Sequence, residues 1–327
     1  MLLQASLIPM LIGSSPGKTG APPGHYESYV LALEWQPSWS VDACPGRKQQ
    51  DSELIKAMNS NVGAYARSHL SLHGLWPNYD PAQHGGFEWP QYCDVGGHDF
   101  PSCLKHPTRE CGPSEAAISA FNVTGRWQAW ALQYAFGDLA LHEWGKHGSC
   151  TPWSTDDSSQ MRYWELQEAA YHNVSNGVGA SLVADNVGSH VSYAALRAAF
   201  DADAGGHRTT LTCVADCHFD QVWLGFEAAK GNLLPLVTPR NGVNMTSAGS
   251  CASCEAVHIA KWSGCPPPEP AAETCEPSEH GPPCAKDADC SHKKGCVRCA
   301  RSGYCTDVPE LISLISAPLL AAHKEMH

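Results

Sequence analysis

The chain has 327 residues, of which 43% are hydrophobic, and its formal net charge is -12. That length and apolar content exclude wholesale disorder and leave room for one large domain, or a large one with a small companion. The acidic balance excludes a broad electrostatic footprint for a polyanion, so any contact with nucleic acid must be local and built into a cleft.

The N-terminal "MLLQASLIPMLIGSSPGKTG" holds an apolar run from Leu2 to Ile12, interrupted by Pro9 and followed by small residues. Residues 1–24 are read as a secretory leader, although a basic start is missing. "YVLALEW", residues 29–35, reads as a buried strand. Residues 51–67 suit a helix or a loop, and 68–77 a second strand that stops at Pro77. A loop rich in Gly, Pro and Cys covers 78–113. Ser114 with Glu115 starts a helix, and residues 125–148 carry apolar residues at helical spacing over part of their length. Residues 160–172 and 192–200 are helical in composition. "TTLTCVA" and "HFDQVWLGFEAA" read as two strands of an antiparallel pair. No stretch reaches the roughly 18–20 apolar residues of a membrane span, so no membrane partner is expected.

Sixteen cysteines, spread from Cys44 to Cys305, indicate an oxidising compartment. The sequons at Asn122, Asn173 and Asn244 agree with this, each being a candidate glycosylation site. The expected localisation is the secretory pathway, with a secreted or a vacuolar/lysosomal destination. A proline run in 264–283 marks a linker, placed at 266–274. Beyond it, Cys275, Cys284, Cys290, Cys296, Cys299 and Cys305 fall within 31 residues with few apolar side chains between them. Such a segment needs disulfide staples in place of a core. The expected organisation is therefore a main domain over 25–265, a cysteine-rich module over 275–306 and a tail over 307–327.

The most informative stretch is "LHEWGKHGSC", residues 141–150. It opens like the zinc-protease signature His-Glu-x-x-His, but the second histidine comes one residue late. On a helix His142 and His147 stand about 140° apart around the axis, against about 40° for a chelating pair. The same spacing sets His142 beside Lys146, and Glu143 beside both Lys146 and His147. A solvated helix face would look similar. A second histidine segment, "LHGLWPNY" at 72–79, supplies His73, a glycine that permits close approach, and Trp76. Two histidines from separate segments, with Lys, Glu and Trp, fit RNA cleavage through the substrate's own 2′-hydroxyl. One imidazole takes the 2′-OH proton and the other protonates the leaving 5′-oxygen. A lysine offsets the negative charge that builds on the phosphoryl oxygens, and an aromatic ring stacks on a base. The nucleophile resides in the substrate, so no metal and no cofactor are expected.

These two segments, in this order, resemble the active-site segments of the T2 ribonucleases, the Rh/T2/S family. "YVLALEWQPSW" resembles the family's first strand, with Gln36 intervening between Trp35 and Pro37. The resemblance covers roughly residues 25–265. It implies an α+β fold, an antiparallel sheet with several helices, and a single-stranded RNA substrate cleaved through a 2′,3′-cyclic phosphate to 3′-phosphate ends. It implies that His147 is the base and His73 the acid. His142 would help bind phosphate, Glu143 and Lys146 would stabilise the transition state, and Trp76 would pack against the substrate base. It also implies that Cys150 bonds to Cys93 or, second, to Cys103, and that Cys213 or Cys217 pairs with one of Cys251, Cys254 or Cys265. Asn78 stands where relatives have Asp, so base preference is not carried over. The expected assembly is a monomer. The alternative reading is a non-enzymatic cytotoxic, storage or recognition protein on the same scaffold.

The C-terminal spacing C-x5-C-x5-C-x2-C-x5-C resembles plant knottins that inhibit metallocarboxypeptidases. It implies a small disulfide-rich module that serves as an inert appendage or binds a protein or carbohydrate partner. Cys251-x-x-Cys254 with Cys296-x-x-Cys299 would alternatively suit a four-cysteine zinc site.

Overall fold

The computed structural model describes residues 17–41, 52–93, 113–137, 139–152, 157–228, 242–265, 284, 286–291, 298–299 and 305–306. The apolar leader run, Cys44, Cys103, the 266–274 linker and most of the cysteine-rich module lie outside them.

Strand β1 (Lys18–Thr19) is followed by β2 (Ser28–Glu34), helix α1 (Ser52–Asn59), β3 (Ser71–Asn78) and β4 (Pro90–Gln91). Helices α2 (Glu115–Phe121), α3 (Leu132–Phe136), α4 (Leu139–Lys146), α5 (Asp157–Val174) and α6 (Val178–Asp185) come next. The chain continues through β5 (His190–Ser192), α7 (Tyr193–Asp203), β6 (Thr210–Val214), β7 (His218–Glu227), β8 (Gly242–Val243) and β9 (Ala256–His258). The fold is α+β. Its seven-stranded sheet runs β3-β2-β7-β9-β5, with β6 and β8 also paired to β7. All pairings in it are antiparallel except the single β7–β9 bridge.

β2 lies between β3 and β7 and is buried from Tyr29 to Glu34. Strand alternation sends Tyr29, Leu31 and Leu33 to one face, where Leu72, Leu75, Val222, Leu224 and Phe226 join them in the core. Helix α5 fastens β3 and the chain just before it. The Tyr163 hydroxyl donates to the Leu75 carbonyl at 2.9 Å, and Tyr171 to Leu70 at 2.8 Å. The opposite face carries Ala32, Glu34, Gly74, Trp76, Gln221 and Trp223, and there the site is built.

The helical stretch at 125–148 is broken into three pieces, a 3-10 turn (Arg126–Ala129), α3 and α4. Gly125 opens this stretch with φ of 68°, a left-handed conformation that glycine adopts without a Cβ penalty. Residues 17–24, which the sequence assigned to the leader, pack onto the domain. β1 pairs with β4, Ala21 is buried, and the Gly24 N–H donates to the Cys150 carbonyl at 2.8 Å. Disulfides join Cys93 to Cys150, Cys213 to Cys251 and Cys217 to Cys254. That pairing removes Cys251 and Cys254 from any zinc site, because a disulfide sulfur is not a thiolate ligand. In the cysteine-rich module, β10 (Arg298–Cys299) and β11 (Cys305–Thr306) form an antiparallel pair, and Cys284 and Cys290 are disulfide-bonded. No helix among the described residues is long and apolar enough to cross a membrane.

Candidate active site

His73 occupies a β-bulge. Ala32 pairs with Gly74 and Leu33 with Leu72, so His73 is the unmatched residue on β3. A bulge adds one residue to one strand and re-aims its side chain. The freed backbone groups find partners outside the ladder: the Tyr134 hydroxyl donates to the His73 carbonyl at 3.0 Å, and the Leu72 N–H to Trp130 at 2.8 Å. The His73 ring meets Glu34 Oε2 through Nδ1 at 3.1 Å and Glu143 Oε1 through Nε2 at 3.6 Å. Burial disfavours its charge. The Glu34 hydrogen bond, with the charges of Glu34, Glu143 and Asp220, outweighs that and holds His73 above the ordinary histidine range.

Helix α4 brings the second segment against β3. Glu143 is 1% exposed, and its Oε2 accepts the Trp76 indole N–H at 2.6 Å. Its Oε1 has no hydrogen-bond partner. Burial lifts this carboxyl to about 7. Gly74 makes the approach possible: a Cβ there would lie 2.0 Å from Glu143 Oε2 and 2.4 Å from Trp76 Nε1.

His147 follows the last residue of α4 and keeps a helical bond from its N–H to the Glu143 carbonyl at 3.0 Å. Its ring stacks on Trp76 with centroids 5.2 Å apart, while His73 meets the same indole edge-on at 5.6 Å. His147 is 4% exposed and its Nδ1 is unpartnered. Burial, then the charges of Lys146, His142 and His73, push it well below the ordinary range. Burial with Lys146 and His73 brings His142 down to about 4. Lys146 ends α4, and its carbonyl accepts the Tyr92 N–H at 2.9 Å, beside the Cys93–Cys150 bond. Gly148 is needed where the chain leaves the site, since a Cβ would meet Trp144 at 2.4 Å and Tyr163 at 3.0 Å.

The structure thus places His73, Trp76, His142, Glu143, Lys146 and His147 in one cluster. The sequence reading overlooked four residues beside it. Glu34 was legible as the single charge in an otherwise apolar strand. Gln221 lies opposite Glu34 on β7 and reaches His73 Nδ1 at 3.4 Å. Trp223 packs edge-on to Trp76 and donates to Gln221 at 2.7 Å. Asp220, raised to about 6 by burial and by Glu34, accepts from Ser38 at 3.0 Å. Among the sequons, Asn173 and Asn244 are exposed. Asn122 is half-buried and caps the end of α2.

The Ribonuclease T2 family model matches residues 26–235. Ribonuclease I of Escherichia coli (strain K12) is 24% identical over 205 residues, covering 61% of this chain and 73% of that protein. Among solved structures, the RNase-related protein from Calystegia sepium is 17% identical, with a TM-score of 0.43, covering 72% of this chain and 97% of that one. Ribonuclease MC1 from the seeds of bitter gourd is 16% identical, with a TM-score of 0.39, covering 71% and 100%.

Proposed function

The chain belongs to the ribonuclease T2 family, and from that premise we propose that it is an endoribonuclease acting on single-stranded RNA without a metal. The observation that carries the reading is the pair of histidines around Trp76. Both rings pack on the one indole, and their proton affinities are displaced in opposite directions. A neutral His147 and a charged His73 are the states that a base and an acid need at the start of the reaction.

His147 takes the proton from the 2′-hydroxyl as the 2′-oxygen attacks phosphorus. The bond to the 5′-oxygen breaks, and that oxygen leaves with the proton from His73. The products are a 2′,3′-cyclic phosphate and a 5′-hydroxyl. For hydrolysis the roles reverse: the now neutral His73 takes a proton from water, and the charged His147 returns one to the 2′-oxygen, leaving a 3′-phosphate. Lys146 offsets the charge on the phosphoryl oxygens, and His142 helps hold the phosphate. Burial raises the Glu143 carboxyl to about 7, and in its protonated form the unpartnered Oε1 would donate to a phosphoryl oxygen. Trp76 offers its ring to the base, with its N–H committed to Glu143.

The disulfides and exposed sequons support a glycosylated protein of the secretory pathway. The test is digestion of homopolymers by the purified full chain at pH 4–7, with and without EDTA, with chromatography of the products. Cyclic nucleotides should precede 3′-phosphates and EDTA should change nothing. Intact RNA overturns the enzymatic reading, and inhibition by EDTA overturns the metal-free one.

A further inference from the structure

Glu34 is a carboxylate in the interior of the sheet, 3% exposed, and each of its oxygens is occupied. Oε1 accepts the Trp39 indole N–H at 2.5 Å. Oε2 accepts the Gln133 amide and lies 3.1 Å from His73 Nδ1. Trp39 comes from the 3-10 turn Gln36–Ser40 and Gln133 from α3, so three separate elements meet at this carboxylate. Its two other donors are neutral and hold it in place whether or not His73 is charged. With both oxygens engaged and the side chain buried, Glu34 is placed to touch His73 and not the RNA. A buried carboxylate is costly unless it is paired, and His73 is the cationic partner within reach.

We propose that Glu34 is a positioning residue for the reaction: it accepts a hydrogen bond from the Nδ1–H of His73, fixes the ring angle, and leaves Nε2 to carry the proton for the leaving 5′-oxygen. The proposal rests on the ribonuclease reading and adds a component that the two family segments do not contain. The geometry leaves Nε2 on the side of Glu143, where the cleft groups converge. The charged groups facing His73 are Glu34 on β2, Glu143 on α4 and Asp220 on β7, set against His142, Lys146 and His147 at the end of α4. Of the carboxylates, only Glu34 is within hydrogen-bond distance. In the reaction the proton leaves from Nε2 while the other proton stays on Nδ1, hydrogen-bonded to Glu34, so the neutral ring faces the cleft through Nε2 for the hydrolysis step.

Two measurements on the full chain test this. The first is the pH dependence of kcat and KM for wild type, Glu34→Gln and Glu34→Asp. Gln retains an acceptor for Nδ1–H and removes the charge. Its basic limb should move down by about one pH unit, with KM unchanged and the acid plateau within a few fold of wild type. Asp retains the charge at a shorter reach. Its basic limb should stay near that of wild type while kcat falls about tenfold or more. The second is an NMR titration of the His73 ring proton, which does not require activity. In the wild type it should titrate above free imidazole, and in Glu34→Gln lower than in the wild type. An unmoved basic limb with an unmoved His73 titration in Glu34→Gln overturns the proposal, as does a loss confined to KM. If Glu34→Gln does not fold, wild-type His73 titrating at or below free imidazole overturns it. If the wild type cleaves no RNA, the ribonuclease reading fails, while the titration still decides what Glu34 does to His73.

Discussion

Trp76 on β3 donates its indole N–H to Glu143 on α4 at 2.6 Å, directly over the space left by the missing side chain of Gly74. This bond joins the two histidine segments. It holds the indole against which both His73 and His147 pack.

Gly74→Ala tests that link. The added Cβ would fall 2.0 Å from Glu143 Oε2 and 2.4 Å from Trp76 Nε1, far inside contact, so the carboxylate and the indole that it holds must both shift. The expected result is a loss of about 100-fold in kcat/KM, the scale that a 1 Å misplacement costs, with a cooperative unfolding transition preserved. Steady-state kinetics on a homopolymer beside a thermal melt checks it, and wild-type rates would show that the approach is unimportant.

The pH profile has a determined shape. His147 must be neutral to act as base, and its proton affinity is lowered, so activity rises with pH at a limb well on the acid side of 6.5. His73 must be charged to act as acid, and its proton affinity is raised, so activity falls at a limb above 6.5. The plateau between them spans the acid to neutral range. His73→Ala and His147→Ala should each remove roughly 100- to 10,000-fold of the rate, and the double variant far less than the product of the two, because the residues act as a unit. An optimum above pH 8 in the wild type would contradict this assignment.

Much of the site was legible in "LHGLWPNY" and "HEWGKHGSC", because the chemistry fixes residue types at short spacing. The bulge was not legible. Placing His73 out of register depends on Trp130 and Tyr134, which lie far along the chain and cap its freed backbone groups. The pairing of Glu34 with Gln221 was hidden for the same reason, since cross-strand register between β2 and β7 is a long-range property. The first strand was legible from its unbroken apolar run. The short elements α6, β5 and β9 were not, since two or three turns or bridges leave little periodicity to detect.

The Cys93–Cys150 bond spans a sequence separation of 57 and closes a loop whose constraint on the unfolded chain is worth about 4 kcal/mol. It also anchors the segment beyond His147, since the neighbouring Tyr92 N–H holds the Lys146 carbonyl at 2.9 Å. Replacing both cysteines by serine should lower the melting temperature by several degrees and reduce kcat more than it raises KM, because Lys146 and His147 are set by that anchor. Calorimetry and kinetics on the double variant check both parts. Unchanged kcat in a folded variant would limit the bond to stability.

Glu143→Gln sets stability against pH. The folded-state affinity of Glu143 is raised from 4.5 to about 7, chiefly by burial. A carboxyl raised in this way holds its proton more tightly in the folded chain. The stability it contributes is fully present below 4.5 and is lost as pH rises to about 7, a difference of about 3 kcal/mol. Glutamine stays neutral throughout and can accept the Trp76 N–H through its own oxygen. The variant should therefore gain on the wild type between pH 4.5 and about 7, hold a constant advantage above that, and match it near pH 4. His142 and His147, whose lowered affinities weaken both proteins in acid, are present in both and largely cancel in the comparison. Paired melts of wild type and variant across that range give the difference directly. A difference independent of pH would mean that Glu143 is ionised in the folded chain across the whole range, held so by His73 and Lys146 against the cost of burial.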